Sequence, residues 1–237
     1  MPQKREVCII VTIKSAGLRQ FLRVALPFCI MPAIILLTAL GWRSEHYALV
    51  SFLMVGLALL LFLSGFEKRE LGTRRMILVS VMTALSVLGR LLPLIKPITA
   101  LTVLSALYLG REAGFLVGAL SAVLSNFVMG QGPWTPFQMF AWGIIGYTAG
   151  IFAKPLIRSR VLLYGYGLLS GVAYSMLLDI WTTVWTYEHF SLPEYAAALY
   201  TALPYTALYA VSNLLFLMLF AKPVGDKLSR IRKKYGL

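Results

Sequence analysis

The sequence predicts an all-α membrane protein: a six-helix bundle preceded by two further transmembrane helices, with both ends in the cytoplasm. Three observations lead there. Hydrophobic residues make up 59% of the 237 and charged residues only 13%, with a mean hydropathy of +0.79. That leaves too little charge to cover the surface of a soluble domain this long. The apolar residues also fall in long runs with the charges between them. A crossing of the hydrocarbon core needs roughly 20 such residues at ~1.5 Å rise. Third, the basic residues between the runs alternate in density, heavy on one side of the membrane and light on the other.

Taken in order, the runs predict spans at about 24–41, 47–65, 76–92, 98–109, 113–129, 137–153, 161–186 and 199–221. Each is helical, because lipid offers no partner to a bare backbone. The runs are solidly apolar and lack the two-residue alternation of a membrane strand. Segment 98–109, bounded by Pro97 and Gly110, is short for a span. It fits a helix buried among neighbours or one that begins with an irregular stretch. The polar 66–75 segment separates an N-terminal pair (1–73) from a six-helix core (74–222), and 223–237 is a basic tail.

Of the 22 Lys and Arg, all but Arg43, Arg90 and Lys96 fall on one side of this arrangement. That asymmetry places both termini in the cytoplasm of a cell-membrane protein. The net charge of +13 is then accounted for by anionic lipid or a cytoplasmic partner, and nucleic acid is not an expected ligand. Cys8 and Cys29 lie in the inner tail and the first span, without His or Cys neighbours, so neither a disulfide nor a metal site is expected. The start is basic and then apolar, but its long run holds Pro27 and Pro32 and shows no cleavage site, so it reads as a retained helix.

Small residues recur at a spacing of four: Ser80 and Ala84 in the third span, Gly114 and Gly118 in the fifth, Gly146 and Gly150 in the sixth, Gly167 and Gly171 in the seventh. Such stripes let helices approach closely, either within the bundle or against another membrane subunit. Asp179 is the one acid well inside a span. Ser175, Asp179, Thr182 and Thr186 form a polar stripe, with Trp181 and Trp185 on another face. Arg90, near the outer end of the third span, is the partner to expect for Asp179, as a structural pair or as two ligand contacts. Further polar and aromatic groups gather at the same outer end: Asn126, Gln131, Trp134, Gln138, Trp142, Trp185, Tyr205, Tyr209 and Asn213. Outer aromatics such as Trp134, Trp185 and Tyr187 also serve as interfacial anchors. An apolar, aromatic pocket with a few placed polar groups is the form of a small-molecule site. No metalloprotease, nucleophile-elbow or Walker motif occurs, and the two His, His46 and His189, lie in outer loops. The residues therefore predict no enzyme and no cofactor, and any pumping needs separate ATPases.

The stretch Gly132-Pro133-Trp134-Thr135-Pro136-Phe137-Gln138-Met139-Phe140-Ala141-Trp142-Gly143, followed by Gly146 and Gly150, resembles the S components of energy-coupling factor (ECF) transporters. The segment Arg111-Glu112-Ala113-Gly114-Phe115-Leu116-Val117-Gly118 fits the same plan, and the resemblance covers about 74–222. It implies a subunit that captures a vitamin-like substrate at the outer face and works with a transmembrane T component and two cytoplasmic ATPases. The site expected from the residues themselves is drawn from Arg90, Asn126, Gln131, Trp134, Gln138, Trp142, Asp179, Thr182, Trp185, Tyr205, Tyr209 and Asn213. The resemblance implies docking through the first core helix, where the usual Ala-x-x-x-Ala reads Ser80-x-x-x-Ala84 with Leu88 next; the spacing of Gly114 and Gly118 offers a second docking stripe. Cobalamin, riboflavin, folate or a precursor all fit as substrate, and the outer-loop motif leans towards cobalamin. The two N-terminal helices lie outside the family plan. A stand-alone transporter or channel would instead move substrate without ATPases, and a purely structural membrane protein would bind none.

Overall fold

A computed structural model describes residues 13, 15–41, 46–65, 69–93 and 95–235. Cys8 and Arg43, named above, lie outside them, as do Lys4, Arg5, Lys14 and Lys68 of the basic residues counted on the inner side. The described residues are helical almost throughout, without a strand among them. The elements are α1 (Ala16–Ala25), a π-helical turn (Leu26–Ile30), α2 (Met31–Gly41), α3 (Tyr47–Ser64), α4 (Arg69–Leu91), α5 (Ile98–Leu109), α6 (Arg111–Met129), α7 (Thr135–Ile151), α8 (Ala153–Arg158), α9 (Arg160–Tyr187) and α10 (Leu192–Tyr235).

Among the described residues, five stretches are long and apolar enough to cross a membrane: Ala16–Thr38, Tyr47–Ser64, Arg111–Met129, Arg160–Tyr187 and Leu192–Tyr235. The protein is thus a multi-pass membrane protein. The other three predicted spans meet that test less well. α4 carries Arg74, Arg75 and Arg90, while α5 and α7 have 12 and 17 residues. α4 begins at Arg69, so part of the expected 66–75 loop is helical. The segment expected as a basic tail is largely helical. α10 runs through Pro223 to Tyr235, and Gly225 and Leu228 are buried.

The order of packing follows from side-chain size. α5 lies at the centre, buried on every side except at Tyr108. At 12 residues it is only ~18 Å long, short of a full crossing, and it is buried from its first residue, Ile98. The amide hydrogens at that start need partners that lipid cannot supply. Asn213 on α10 provides one, accepting from the Ala100 amide at 3.2 Å. α6 and α7 meet through glycine: a Cβ on Gly114 would stand 2.4 Å from the Ala106 Cβ and 2.9 Å from the Gly146 carbonyl oxygen. A Cβ on Gly118 would stand 2.6 Å from the Trp142 backbone. These two glycines belong to an internal seam. Their expected role in docking a partner is therefore corrected, since neither is accessible.

The N-terminal pair covers α6 and α7. α3 turns Val50, Met54, Ala58 and Leu61 inwards, a single helical face, and leaves Phe52 75% exposed towards lipid. Pro27 lacks the N–H that would reach back to the Arg23 carbonyl, and the Tyr147 hydroxyl of α7 donates there instead. Arg23 also pairs with Glu112 at 3.1 Å and donates to the Ser64 carbonyl at 3.0 Å. Glu112, in the first turn of α6, further holds Arg111 at 3.2 Å. A buried carboxylate thus ties the pair to the core at the end of the bundle opposite Arg90.

Candidate binding site

Arg90 closes the last turn of α4 and is buried. A buried guanidinium must be hydrogen bonded or paired, and here α6 and α7 satisfy it. Its Nη1 donates to Asn126 Oδ1 at 2.7 Å and to the Ser125 hydroxyl. Its Nη2 donates to Gln138 Oε1 at 3.3 Å. The donor direction continues outwards from the cation. Asn126 Nδ2 donates to Thr135 Oγ1 at 2.8 Å and to Gln138 Oε1 at 2.9 Å, Thr135 donates to Gln131 Oε1 at 2.9 Å, and Gln131 Nε2 donates to the Val123 carbonyl at 2.8 Å. Each link polarises the next, so the chain has one sense from Arg90 to the 130–134 loop. Gln131 ends that chain and fixes the loop to α6.

The guanidinium also lies over the Trp142 ring, 4.8 Å from its centroid. Trp142 is fully buried, donates through Nε1 to Thr99 Oγ1 at 3.1 Å, and stacks on Tyr174 with centroids 4.4 Å apart and planes 8° from parallel. Tyr209 of α10 leans on Tyr174 at 5.0 Å. The Tyr174 side chain reaches both Gln138 and Tyr209. Arg90, Trp142, Tyr174 and Tyr209 form one continuous column through four helices. Nearer the chain turns, Trp181 meets Trp134 edge-on at 5.9 Å, leans on Phe137 at 6.2 Å and stacks with the half-exposed Trp185 at 5.7 Å.

The expected Arg90–Asp179 pair does not form, because the two side chains face different helices. Arg90 is held by α6 and α7, whereas buried Asp179 faces α10, beside Ser175 and within electrostatic reach of Tyr195. Ser175 in turn shares a 2.6 Å hydrogen bond with Thr206 of α10. Asp179 Oδ2 has no hydrogen-bond partner, and neither has Asn213 Nδ2. These are two buried polar atoms, an acceptor and a donor, both on the helices that carry the aromatic column. Lys96, in the 92–97 connection, is held by the Arg90 and Leu92 carbonyls at 2.9 and 2.7 Å. Burial first, and then the Arg90 charge, lower its pKa from the ordinary lysine value.

Of the residues expected at the site, Arg90, Asn126, Gln138, Trp142 and Tyr209 converge directly. Trp134 and Trp185 form its aromatic rim, Gln131 its loop anchor, and Asn213 its floor at the start of α5. Thr182 hydrogen bonds back to the Leu178 carbonyl on its own helix. Tyr205, one turn before Tyr209 on the same helix, is 67% exposed and makes no contact with the column. Tyr174 and Trp181 were missed. Trp181 was placed on a different face of α9, yet it joins the rim. Ser80 and Ala84 lie on an exposed face of α4 among Ile77, Val81 and Leu88.

Chemically, the column offers flat aromatic faces, a delocalised cation at one end and amide groups along one edge. Aromatic faces, a cation and amide groups are chemically complementary to a planar ring carrying carbonyl and N–H groups. It carries no charged nucleophile beside a base. The model of one family, described as ECF-type riboflavin transporter, S component, matches residues 70–222. No curated protein and no solved structure matches the chain.

Proposed function

This chain belongs to the family of ECF-type riboflavin transporter S components, and from that premise we propose that it binds a flavin-like ring at the Arg90 end for ATP-driven uptake. The family is one of transporter subunits, not of enzymes. Capture occurs at the extracytoplasmic face, with both termini in the cytoplasm, and a T component and two ATPases complete the importer. The T component docks on the face of α4 that carries Ser80 and Ala84. The single observation that carries the substrate is the column of Arg90, Trp142, Tyr174 and Tyr209. A flat tricyclic ring matches its faces, and the ring's carbonyl and imide edge matches Asn126, Gln138, Asp179 Oδ2 and Asn213 Nδ2. The bulkier cobalamin favoured from the loop motif has no such support, and the family description names riboflavin.

The test is titration of riboflavin into purified protein, read by quenching of flavin fluorescence, with cobalamin as competitor. Riboflavin is expected to saturate one site that cobalamin does not empty. Trp142→Ala should weaken binding roughly tenfold or more, since an aromatic stack supplies ~0.5–1.5 kcal/mol beyond area burial and 1.4 kcal/mol is about tenfold in Kd. Saturable binding of cobalamin but not riboflavin would overturn the substrate assignment.

A further inference from the structure

We infer that Thr99, in the first turn of α5, is a positioning residue for the ring site: its hydroxyl fixes the orientation of the Trp142 ring on which the ligand stacks. The inference rests on the proposed function and deepens it. Thr99 acts through Trp142 and needs no contact with the ligand itself.

A flat ring in a stack is held on its faces and along its edge. Over its faces, Trp142 meets Tyr174, 4.4 Å away and 8° from parallel, and the Arg90 guanidinium at 4.8 Å. Dispersion and cation–π attraction change little when a ring slides or turns within its own plane. Those contacts alone leave several orientations of the indole close in energy. A hydrogen bond at the ring edge removes that freedom. The indole N–H is a donor only. It is aimed at Thr99 Oγ1 at 3.1 Å, and both residues are fully buried. Turning the ring over would leave this buried donor without that acceptor, and an unsatisfied buried donor is costly. Thr99 thus selects one orientation of Trp142.

The hydroxyl can do this only if the first turn of α5 is itself fixed, and that turn carries no cap of its own. Pro97 stands at the N-cap position without a side-chain acceptor to offer the amides that follow. Neighbouring helices supply what is missing. Asn213 of α10 accepts from the Ala100 amide at 3.2 Å, the place an N-cap oxygen would take. Ser86 of α4 donates to the Ile98 carbonyl at 3.4 Å. Gly89 of α4 lies so close to Pro97 that a Cβ would stand 2.7 Å from its Cγ. Thr99 is therefore held between α4 and α10 while it reaches to α7. Two other hydroxyls of α5 are used differently. Thr102 and Ser105 donate back to the Ile98 and Leu101 carbonyls of their own helix, at 2.9 and 2.7 Å. Thr99 is bonded to a side chain of another helix, and that side chain belongs to the column.

The test sets Thr99→Val against Thr102→Val. Both are fully buried threonines of α5, and valine keeps the shape while removing the hydroxyl. Thr102→Val loses only a bond within its own helix. Riboflavin is titrated into the full chain and followed by flavin fluorescence. Thr99→Val is expected to weaken binding roughly fivefold or more, whereas Thr102→Val and the hydroxyl-restoring Thr99→Ser should stay within about twofold of wild type. In a Trp142→Phe background, which keeps a ring but has no N–H, Thr99→Val should weaken binding no further. Wild-type affinity of Thr99→Val overturns the inference. So does a loss that Thr102→Val shares, that serine does not rescue, or that persists beside Trp142→Phe. A second measurement needs no ligand. With isotope-labelled tryptophan, the nuclear magnetic resonance signal of the Trp142 indole N–H is the one missing from Trp142→Phe. It should move upfield in Thr99→Val, as a proton without its acceptor does, and stay in place in Thr102→Val. An unmoved signal overturns the inference. Wild-type protein that takes up no riboflavin but shows this shift would instead overturn the proposed function and leave Trp142 positioned by Thr99. If Thr99→Val does not fold, Thr99→Ala replaces it in both measurements.

Discussion

Replacing Gly118 by alanine tests whether the α6–α7 seam sets the geometry of the binding column. The new Cβ would stand 2.6 Å from the Trp142 carbonyl carbon and oxygen and 2.9 Å from the Gly143 nitrogen. Ordinary contact begins at 3.4 Å, so the seam must open locally by roughly 0.8 Å. All three neighbours are backbone atoms, and no flexible side chain can move aside. Overpacking of this kind costs ~1–3 kcal/mol. At ~2–4 °C per kcal/mol for a chain of this size, the unfolding temperature in detergent should fall by roughly 2–12 °C. Trp142 carries the displaced backbone, so riboflavin affinity should fall with it. Gly165→Ala is the matched control. Nothing lies within 4 Å of a Cβ there, and alanine is preferred over glycine in a helix by up to ~1 kcal/mol. If Gly118→Ala unfolds at or above the temperature of Gly165→Ala, close packing does not govern the seam and this account of the site is wrong.

Three further outcomes are expected. Asp179→Asn loses no ion pair to Arg90, so it should keep the wild-type unfolding temperature while riboflavin affinity drops; a protein that binds normally but unfolds early would make Asp179 structural. Ala84→Trp should abolish co-purification of the T component and ATPases and leave riboflavin binding intact, and unchanged recovery of the complex would move the docking face elsewhere. Arg23→Ala removes the bonds to Glu112 and the Ser64 carbonyl, each worth ~1–3 kcal/mol for a charged partner. Hydrogen exchange should then rise in α1–α3 with the core protected; a uniform rise across all helices would refute the clamp.

Much of the fold was legible because hydropathy along a membrane chain is strong and local. The edges of α3, α6 and α9 fall within a residue or two of the predicted spans. α5 was recognised as odd from its length between Pro97 and Gly110, and its burial follows from that same shortness. The course of α10 past Pro223 was not legible, because proline and a basic run both argue for a helix end, and only tertiary packing of Gly225 and Leu228 holds it on. At the site, residue types were readable but partners were not. Arg90 and Asp179 share an end of the bundle, and opposite charge suggested a pair. Which neighbour each one faces depends on helix rotation. Tyr174 carried a signal that went unused. Gly167, Gly171 and Ser175 lie on one face of α9, and Tyr174, three residues after Gly171, belongs to it. Joining the small-residue stripe to the polar stripe would have placed Tyr174 inside.

The two tight seams bear on how a ring could enter the column. α6 and α7 close on glycine, and so do α9 and α10, where a Cβ on Gly171 would stand 2.5 Å from the Ala210 nitrogen. Seams without slack between backbones resist shear, so each pair behaves as a plate. The two plates meet across the Trp142–Tyr174 stack, one ring from each, at 4.4 Å. A flavin lying between these rings needs about 7 Å, two layers at a contact distance of ~3.5 Å. The plates must then part by roughly 3 Å. Arg90 and its amide chain belong to the α4–α6–α7 side and would stay with Trp142, while Tyr174, Tyr209 and Asp179 would move away together. On the proposed function, ligand entry is therefore a relative movement of α9–α10 against α6–α7, with the four residues of the column keeping their partners within each plate.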